Sequence, residues 1–292
     1  MAALFHPRPH GGPQSRILAL VPMTPARSSV RRLLKARRAE VSTVAIAAKP
    51  TTVLDNQDVT APYTQYVFKL RSANASKEEW TFRKRYSDFH ALHSKLRRGS
   101  KQWQQSCSKQ GDAFDNVAKL LQQAVGPEFP RKHVRCDTST IIHERRRQLM
   151  DYVRTLLAAY TDLEVLLGAP GSLKGSFVHD IVCLNTVYAE IQRFLEIPPK
   201  RKEVEAKLTR VVMVLQDVEE NSAEGELPQC SICLGDSDPI DKVGGGEELA
   251  QLPCAHVFHE SCIIHWLQCG PTCPMCRRAV GHTATSRRVS IL

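Results

Sequence analysis

The chain reads as an α+β protein with a metal-clamped C-terminal unit. Three observations lead there. Two aromatic and β-branched runs, "YTQYVFKL" and "EEWTFRKRY", stand together near the front. Several stretches with apolar residues at helical spacing follow them. Eight cysteines and histidines then close the series, in four tight pairs between residues 230 and 276. Strands first and helices after is the order of an α+β domain, and 292 residues leave room for about two domains.

Residues 1–40 hold Pro, Gly, Ser and Arg with no acid before Glu40, so they read as a disordered basic tail. Within it "SSVRRLLKARR" has the makings of a short basic helix; a solvated tail is a simpler account than a mitochondrial presequence or a nuclear signal. "ILALVP" is too short for a secretory signal, and no run approaches the ~18 apolar residues of a membrane span. "RSANASK" between the two β-like runs reads as a hairpin turn. "SDFHALHSKLRR" predicts a helix capped by Ser87, with Phe89, Leu92 and Leu96 on one face. Residues 99–112 are polar and predict a loop. "DAFDNVAKLLQQAV" is an amphipathic helix ended by Gly126 and Pro127. "TSTIIHERRRQLMDYVRTLLAAY" is a long helix that turns Ile142, Leu149, Tyr152, Val153 and Leu156 to a core, and "GAPGSLKGS" breaks it. "VYAEIQRFLEI" is a short helix closed by Pro198 and Pro199. "KRKEVEAKLTRVVMVLQDVEENS" reads as a linking helix over 199–224. Its stripe of Val204, Leu208, Val211, Leu215 and Val218 suits packing onto a neighbouring domain, with dimerisation the alternative.

Charge is distributed unevenly. Residues 61–160 carry 19 Lys and Arg against 9 Asp and Glu, whereas 224–276 carry eight acids and one base, Lys242. A basic middle predicts an anionic partner: a lipid headgroup, a nucleic acid or an acidic protein. The sparse aromatic spacing there offers no platform for stacking bases, which ranks nucleic acid low.

The four pairs at the end are Cys230/Cys233, Cys254/His256, His259/Cys262 and Cys273/Cys276. Thiolate and imidazole are ligands that zinc prefers, and a two-residue gap lets a tight knuckle aim both side chains at one ion. Eight ligands suffice for two tetrahedral Zn2+ sites; spacing alone leaves open which pairs combine. Reduced core cysteines would not explain the pairing. Of the ten cysteines only Cys107, Cys136, Cys183 and Cys269 stand outside it, which fits a reducing, intracellular setting better than a disulfide framework.

Residues 230–277 resemble a RING finger of the type with two central histidines. The order Cys-x2-Cys, twenty residues, Cys-x-His-x2-His-x2-Cys, ten residues, Cys-x2-Cys carries the resemblance, as do the phrases "LPCAHVFHESCIIHWL" and "TCPMCR". It implies a cross-brace over 225–280, with Cys230, Cys233, His259 and Cys262 on one zinc and Cys254, His256, Cys273 and Cys276 on the other. With four protein ligands each, both ions would be structural. The implied activity is that of a ubiquitin ligase, which binds a ubiquitin-conjugating enzyme and orients its ubiquitin for transfer. Ile232, Trp266 and Pro274 would form the groove for that enzyme. Arg277 would fill the catalytic role of the arginine that bonds both ubiquitin and the conjugating enzyme.

"EEWTFRKRYSDFHALHSKL", "FPRKHV", "IIHERRRQLMDYV" and "IQRFLEI" resemble a divergent phox-homology (PX) domain over about 41–198, a phosphoinositide-binding module. The resemblance implies a three-stranded sheet with a helical subdomain. In its pocket Arg85 would grip the 3-phosphate, Tyr86 stack under the inositol ring, Lys132 meet the 1-phosphate and Arg145 bond ring hydroxyls. That set favours phosphatidylinositol 3-phosphate. Together the two resemblances imply a cytoplasmic, peripheral ligase recruited to endosomal membranes, with residues 281–292 a flexible tail. The rival is a non-enzymatic zinc-binding adaptor on the same membrane.

Overall fold

The computed structural model of the protein describes residues 27–54, 62–72, 78–106, 112–126, 129–132, 138–168, 178–218, 229–235 and 248–280. The described elements run α1 (Arg27–Ser42), β1 (Ala45–Val53), β2 (Tyr63–Arg71), β3 (Glu79–Arg85), α2 (Tyr86–Ser106), α3 (Asp112–Val125), α4 (Ser139–Gly168), α5 (Val178–Leu195), α6 (Pro199–Met213), β4 (Gln216–Asp217), β5 (Leu249–Gln251), β6 (Val257–His259) and α7 (Glu260–Cys269).

An antiparallel sheet in the order β1-β2-β3 forms the front of the molecule. Its register sets Phe68 opposite Phe82 and Leu70 opposite Trp80, so alternate side chains line one apolar face. The Phe68 and Phe82 rings stack at 5.1 Å. Phe89 of α2 and Phe194 of α5 cross edge to face at 4.8 Å over the same core, which α4 completes with Leu149, Val153 and Leu156. Strand β1 was not legible from the sequence patterns above. It holds Pro50, which lacks a backbone donor, and it lies at the sheet edge where that lack is tolerated.

A second core joins elements far apart in sequence. Leu33 of α1, Val165 of α4, and Leu208, Val211, Val212 and Leu215 from α6 and the turn after it bury against Phe258, Ile263, Ile264 and Leu267. The linking helix therefore does pack onto its neighbour, but it stops at Met213. The chain then adds β4 to a small sheet in the order β4-β5-β6, pairing Asp217 with Ala250.

Three local expectations need correction. The basic stretch read as a tail is helical from Arg27 onward, because α1 finds acidic and apolar partners that composition does not reveal. The loop expected from residue 99 is helix as far as Ser106: Trp103 is buried and its indole N–H donates to Asp180 Oδ1 at 2.7 Å, an anchor that outweighs the polarity around it. Ser87 is not the cap of α2. The Asp88 carboxylate accepts the Arg85 backbone N–H at 2.7 Å, satisfying a donor at the helix entrance. Most of "RSANASK", "GAPGSLKGS" after Gly168, and the acidic "VGGGEE" before Glu248 fall outside the described residues, as do residues 1–26 and 281–292. Among the described residues no helix is long and apolar enough to cross a membrane.

Candidate functional site

Two knuckles and a strand-helix corner build the C-terminal site. In each knuckle the residue after the second cysteine takes a left-handed backbone, Leu234 at φ 60° and Arg277 at φ 60°. That turn lets Leu234 N–H reach Cys230 O at 2.7 Å and Arg277 N–H reach Cys273 O at 2.9 Å, so both cysteines of a pair face the same point. A left-handed non-glycine residue costs about 1–2 kcal/mol, a strain that something at the knuckle must offset. The corner comes from β6 running straight into α7, which presents His259 and Cys262 three residues apart on one side.

The described chain brings the first pair to the third and the second to the fourth. The ligand atoms of Cys230, Cys233, His259 and Cys262 all lie within 4.8 Å of one another, and so do those of Cys254, His256, Cys273 and Cys276. Both histidines turn Nδ1 inward: His259 Nδ1 lies 3.2 Å from Cys233 Sγ, and His256 Nδ1 lies 3.3 Å from Cys254 Sγ and 3.6 Å from Cys273 Sγ. Around a tetrahedral zinc, bonds of about 2.3 Å to sulfur and 2.0–2.1 Å to nitrogen separate neighbouring ligands by about 3.5–3.8 Å. The donor sets fit that ion. Burial, reinforced by the neighbouring Cys233 and Cys230 sulfurs, pushes the Cys262 thiol up to about 12. Sulfurs gathered this closely cannot all ionise unless a cation shares the space, which is what a zinc ion supplies.

Around the two clusters, Trp266 projects from α7 with 42% of its surface exposed, held by its indole N–H donating to Thr272 O at 2.9 Å. Ile232 and Pro274 sit half-buried in the two knuckles, and Arg277 is exposed. Sequence reasoning passed over Leu234 and Met275, both exposed apolar residues in or beside the knuckles.

The second site lies where β3 enters α2. Tyr86 opens the helix; its hydroxyl donates to Pro130 O at 2.8 Å, and the Arg145 guanidinium lies 4.2 Å from its ring centroid. Arg145 is buried although it is charged. Lys132 is exposed two residues past Pro130. Arg85 precedes Tyr86 and lies over the Tyr63 ring, 3.0 Å from its centroid. Its Nε is buried and has no hydrogen-bond partner among the described residues. Tyr63 was missed in the sequence reading. The register that pairs Gln65 with Arg85 puts Tyr63 diagonally across from it, so counting back from the hairpin would have found it. Phe129 and His93 were missed as well. Their rings stack at 4.3 Å beside Tyr86, and burial, with the charges of Arg97 and His90, holds the His93 imidazole below its usual range.

A family model described as "Ring finger domain" matches residues 228–277, and one described as "PX domain" matches residues 72–164. The chain carries both a RING finger and a PX domain. RING finger protein 122 of Mus musculus is 41% identical over 64 residues, 22% of this chain and 37% of that protein. E3 ubiquitin-protein ligase RNF126 of Bos taurus is 36% identical over 83 residues, covering 28% and 23%. E3 ubiquitin-protein ligase RNF115 of Homo sapiens is 33% identical over 91 residues, covering 31% and 26%. The chain thus spans well under half the length of these relatives. No solved structure matches it. Two zinc ions fit the RING finger, one in each Cys/His cluster.

Proposed function

We propose that the protein is a membrane-recruited RING-type ubiquitin ligase. On this reading the RING finger, within 225–280, docks a ubiquitin-conjugating enzyme against Ile232, Trp266 and Pro274. Arg277 bonds the enzyme and its ubiquitin together; a planar guanidinium has the donors for both. The contribution is orientation: a thioester-linked ubiquitin held in one pose meets the attacking lysine far more often than a freely swinging one. Zinc, when bound, supplies rigidity to a segment too small to hold itself.

The PX unit, over about 41–198, selects the membrane. Arg85 grips the 3-phosphate of phosphatidylinositol 3-phosphate, Tyr86 stacks under its ring, Lys132 meets the 1-phosphate and Arg145 bonds ring hydroxyls. Endosomal membranes carry that lipid, so the protein sits on their cytoplasmic face. The observation that carries the reading is the pair of built sites in one chain: an exposed Trp266 pinned beside a knuckle of the RING finger, and an unsatisfied Arg85 Nε at the PX pocket.

Two variants separate the halves. Arg85→Ala loses charge-assisted bonds of about 1.5–3 kcal/mol each. It should leave vesicles containing phosphatidylinositol 3-phosphate yet still build ubiquitin chains in solution. Ile232→Ala with Trp266→Ala should bind those vesicles and transfer no ubiquitin. If wild type transfers none with a broad panel of conjugating enzymes, the non-enzymatic adaptor is the better reading. If Arg85→Ala binds vesicles as wild type does, diffuse charge and not the pocket holds the membrane.

A further inference from the structure

Helix α1 lies outside both matched domains, and it touches both. Toward the PX side its contacts fall on the C-terminal third of α4. Arg38 Nε and Nη2 each bond the buried Asp162 carboxylate at 2.8 Å. Arg37, fully buried, bonds Glu164 at 2.6 Å and Glu205 of α6 at 2.8 Å. Toward the RING finger the next turn is complementary. Arg32, itself 4% exposed, bonds Glu260 Oε2 at 2.8 Å, Asp217 Oδ1 at 2.7 Å and Leu215 O at 3.2 Å. Arg31 pairs with Glu248, and Lys35 pairs with Glu248 at 3.5 Å and Glu260 at 3.7 Å. Between the two sets, Leu33 shares one core with Val165 and with Phe258 and Ile264.

We infer that α1 is a clasp that locks the RING finger onto the far end of α4, so that the finger is not a tethered domain but one at a fixed pose and height. Three further facts agree. The α6 exit is bound as well, since β4 is a strand of the RING finger's own sheet. The clasped surface carries Glu260, Ile263, Ile264 and Leu267, all buried, whereas His265 and Trp266 on the same helix remain exposed. Trp266, which belongs to the docking groove proposed for the conjugating enzyme, therefore stays clear of the clasped face. And α4 is one uninterrupted helix from Ser139 to Gly168. Arg145 lies near its start and Val165 near its end, so at 1.5 Å per residue the helix separates the lipid pocket from the clasp by about 30 Å. On a membrane that rise becomes a standoff: the finger is held above the bilayer and reaches lysines within a defined band of heights. The standoff rests on the lipid binding proposed above; the clasp does not.

The test uses the full chain with two dyes, one on an unnatural residue at Thr186 of α5 and one at His265 of α7, both exposed. Single-molecule energy transfer on wild type should give one narrow distance. Arg32→Glu sets a like charge against Glu260 and Asp217 and should lose the narrow peak, while metal analysis still counts two zinc ions. Should Arg32→Glu fail to fold, the exposed pair Arg31→Glu and Lys35→Glu should loosen the clasp, and adding Glu248→Lys should restore the narrow peak. A broad distribution in wild type overturns the clasp. So does a peak indifferent to Arg32→Glu and to the double reversal, or a loss that Glu248→Lys leaves unrepaired. A second dye pair, His265 against a surface dye on phosphatidylcholine vesicles carrying phosphatidylinositol 3-phosphate, reads the standoff. One height in wild type, lost in the loosened variant, is the expected result; equal heights in both overturn it. Failure to bind those vesicles sinks the lipid reading and with it the standoff, and leaves the first pair to decide the clasp.

Discussion

Replacing Arg37 with Met tests whether α1 belongs to the fold. The Arg37 side chain has no exposed surface and meets three carboxylates: Glu40 at 2.8 Å, Glu164 at 2.6 Å and Glu205 at 2.8 Å. Burial alone would pull its pKa down, but the charges of Glu205, Glu164 and Glu40 outweigh that and hold it above the ordinary arginine range. Arg201 is the other cation of this network, bonding Glu40 at 2.9 Å and Glu205 at 3.0 Å. Two guanidinium groups thus serve three carboxylates. Removing one partner of a buried pair costs about 3–5 kcal/mol, because the remaining charge is left in a poor solvent. Arg201 keeps Glu40 and Glu205 company, so the uncompensated charge falls on Glu164, which is 25% exposed and partly hydrated. The lower end, about 3 kcal/mol, is the expected loss. Urea unfolding followed by tryptophan fluorescence reads it. Burial already raises the Glu164 pKa, and losing Arg37 raises it further. A folded pKa above the unfolded one destabilises at neutral pH and is relieved as the pH falls into the carboxylate range, so the variant's deficit should shrink on acidification. A change within about 0.5 kcal/mol, ordinary for surface substitutions, would mean that α1 is solvated and would refute the reasoning.

The remaining predictions concern metal and pH. The full chain should hold two zinc ions by metal analysis, and His256→Ala and His259→Ala should each empty a different cluster; structural zinc contributes about 10–16 kcal/mol to small domains, so a strong chelator should unfold this segment, and a single bound ion would sink the two-site arrangement. His93 has a folded pKa below its usual value, so the unfolded chain binds its proton more tightly. Stability to urea should therefore be full above about pH 6.5 and decline as the pH falls through that value toward the folded pKa, and His93→Phe should flatten the decline; an unchanged slope removes His93 as its source.

What the sequence revealed depended on how local the physics was. The knuckles were legible because each needs only two ligands at short spacing, and spacing survives in one dimension. Helix α3 was legible to the residue, because Gly126, at φ 78°, supplies a stop that few other residues allow. The end of α2 was not, since what extends it through Gly99 is Trp103 reaching Asp180, 77 positions away. Strand β1 failed for a related reason: Ile46 and Ala48 make only a weak alternation, and the evidence for a strand is its pairing with β2, in which Ala48 meets Phe68. Tyr63 beside Arg85 is likewise a property of register and not of either segment alone.

The basic helix shows how far composition can mislead about partners. A run with Arg31, Arg32, Lys35, Arg37 and Arg38 and no nearby acid but Glu40 looks made for an external anion. Each of those five side chains instead finds a carboxylate within the chain: Glu248, Asp217, Glu260, Glu40, Glu164, Glu205 or Asp162. The acidic character of the C-terminal end is partly the complement of this helix, because Glu248 and Glu260 come from it. Opposite charges placed about two hundred residues apart therefore record an internal interface. The same test gives a different answer at Arg85. Arg85 and Arg145 lie over aromatic rings, and Arg85 keeps a buried Nε with no hydrogen-bond partner among the described residues. An aromatic face holds a guanidinium in place without using up its forked donors, which on the proposed reading leaves those of Arg85 for the lipid phosphate. On the proposed lipid reading it is this cluster, and not the most basic stretch of the chain, that would take an anion from outside.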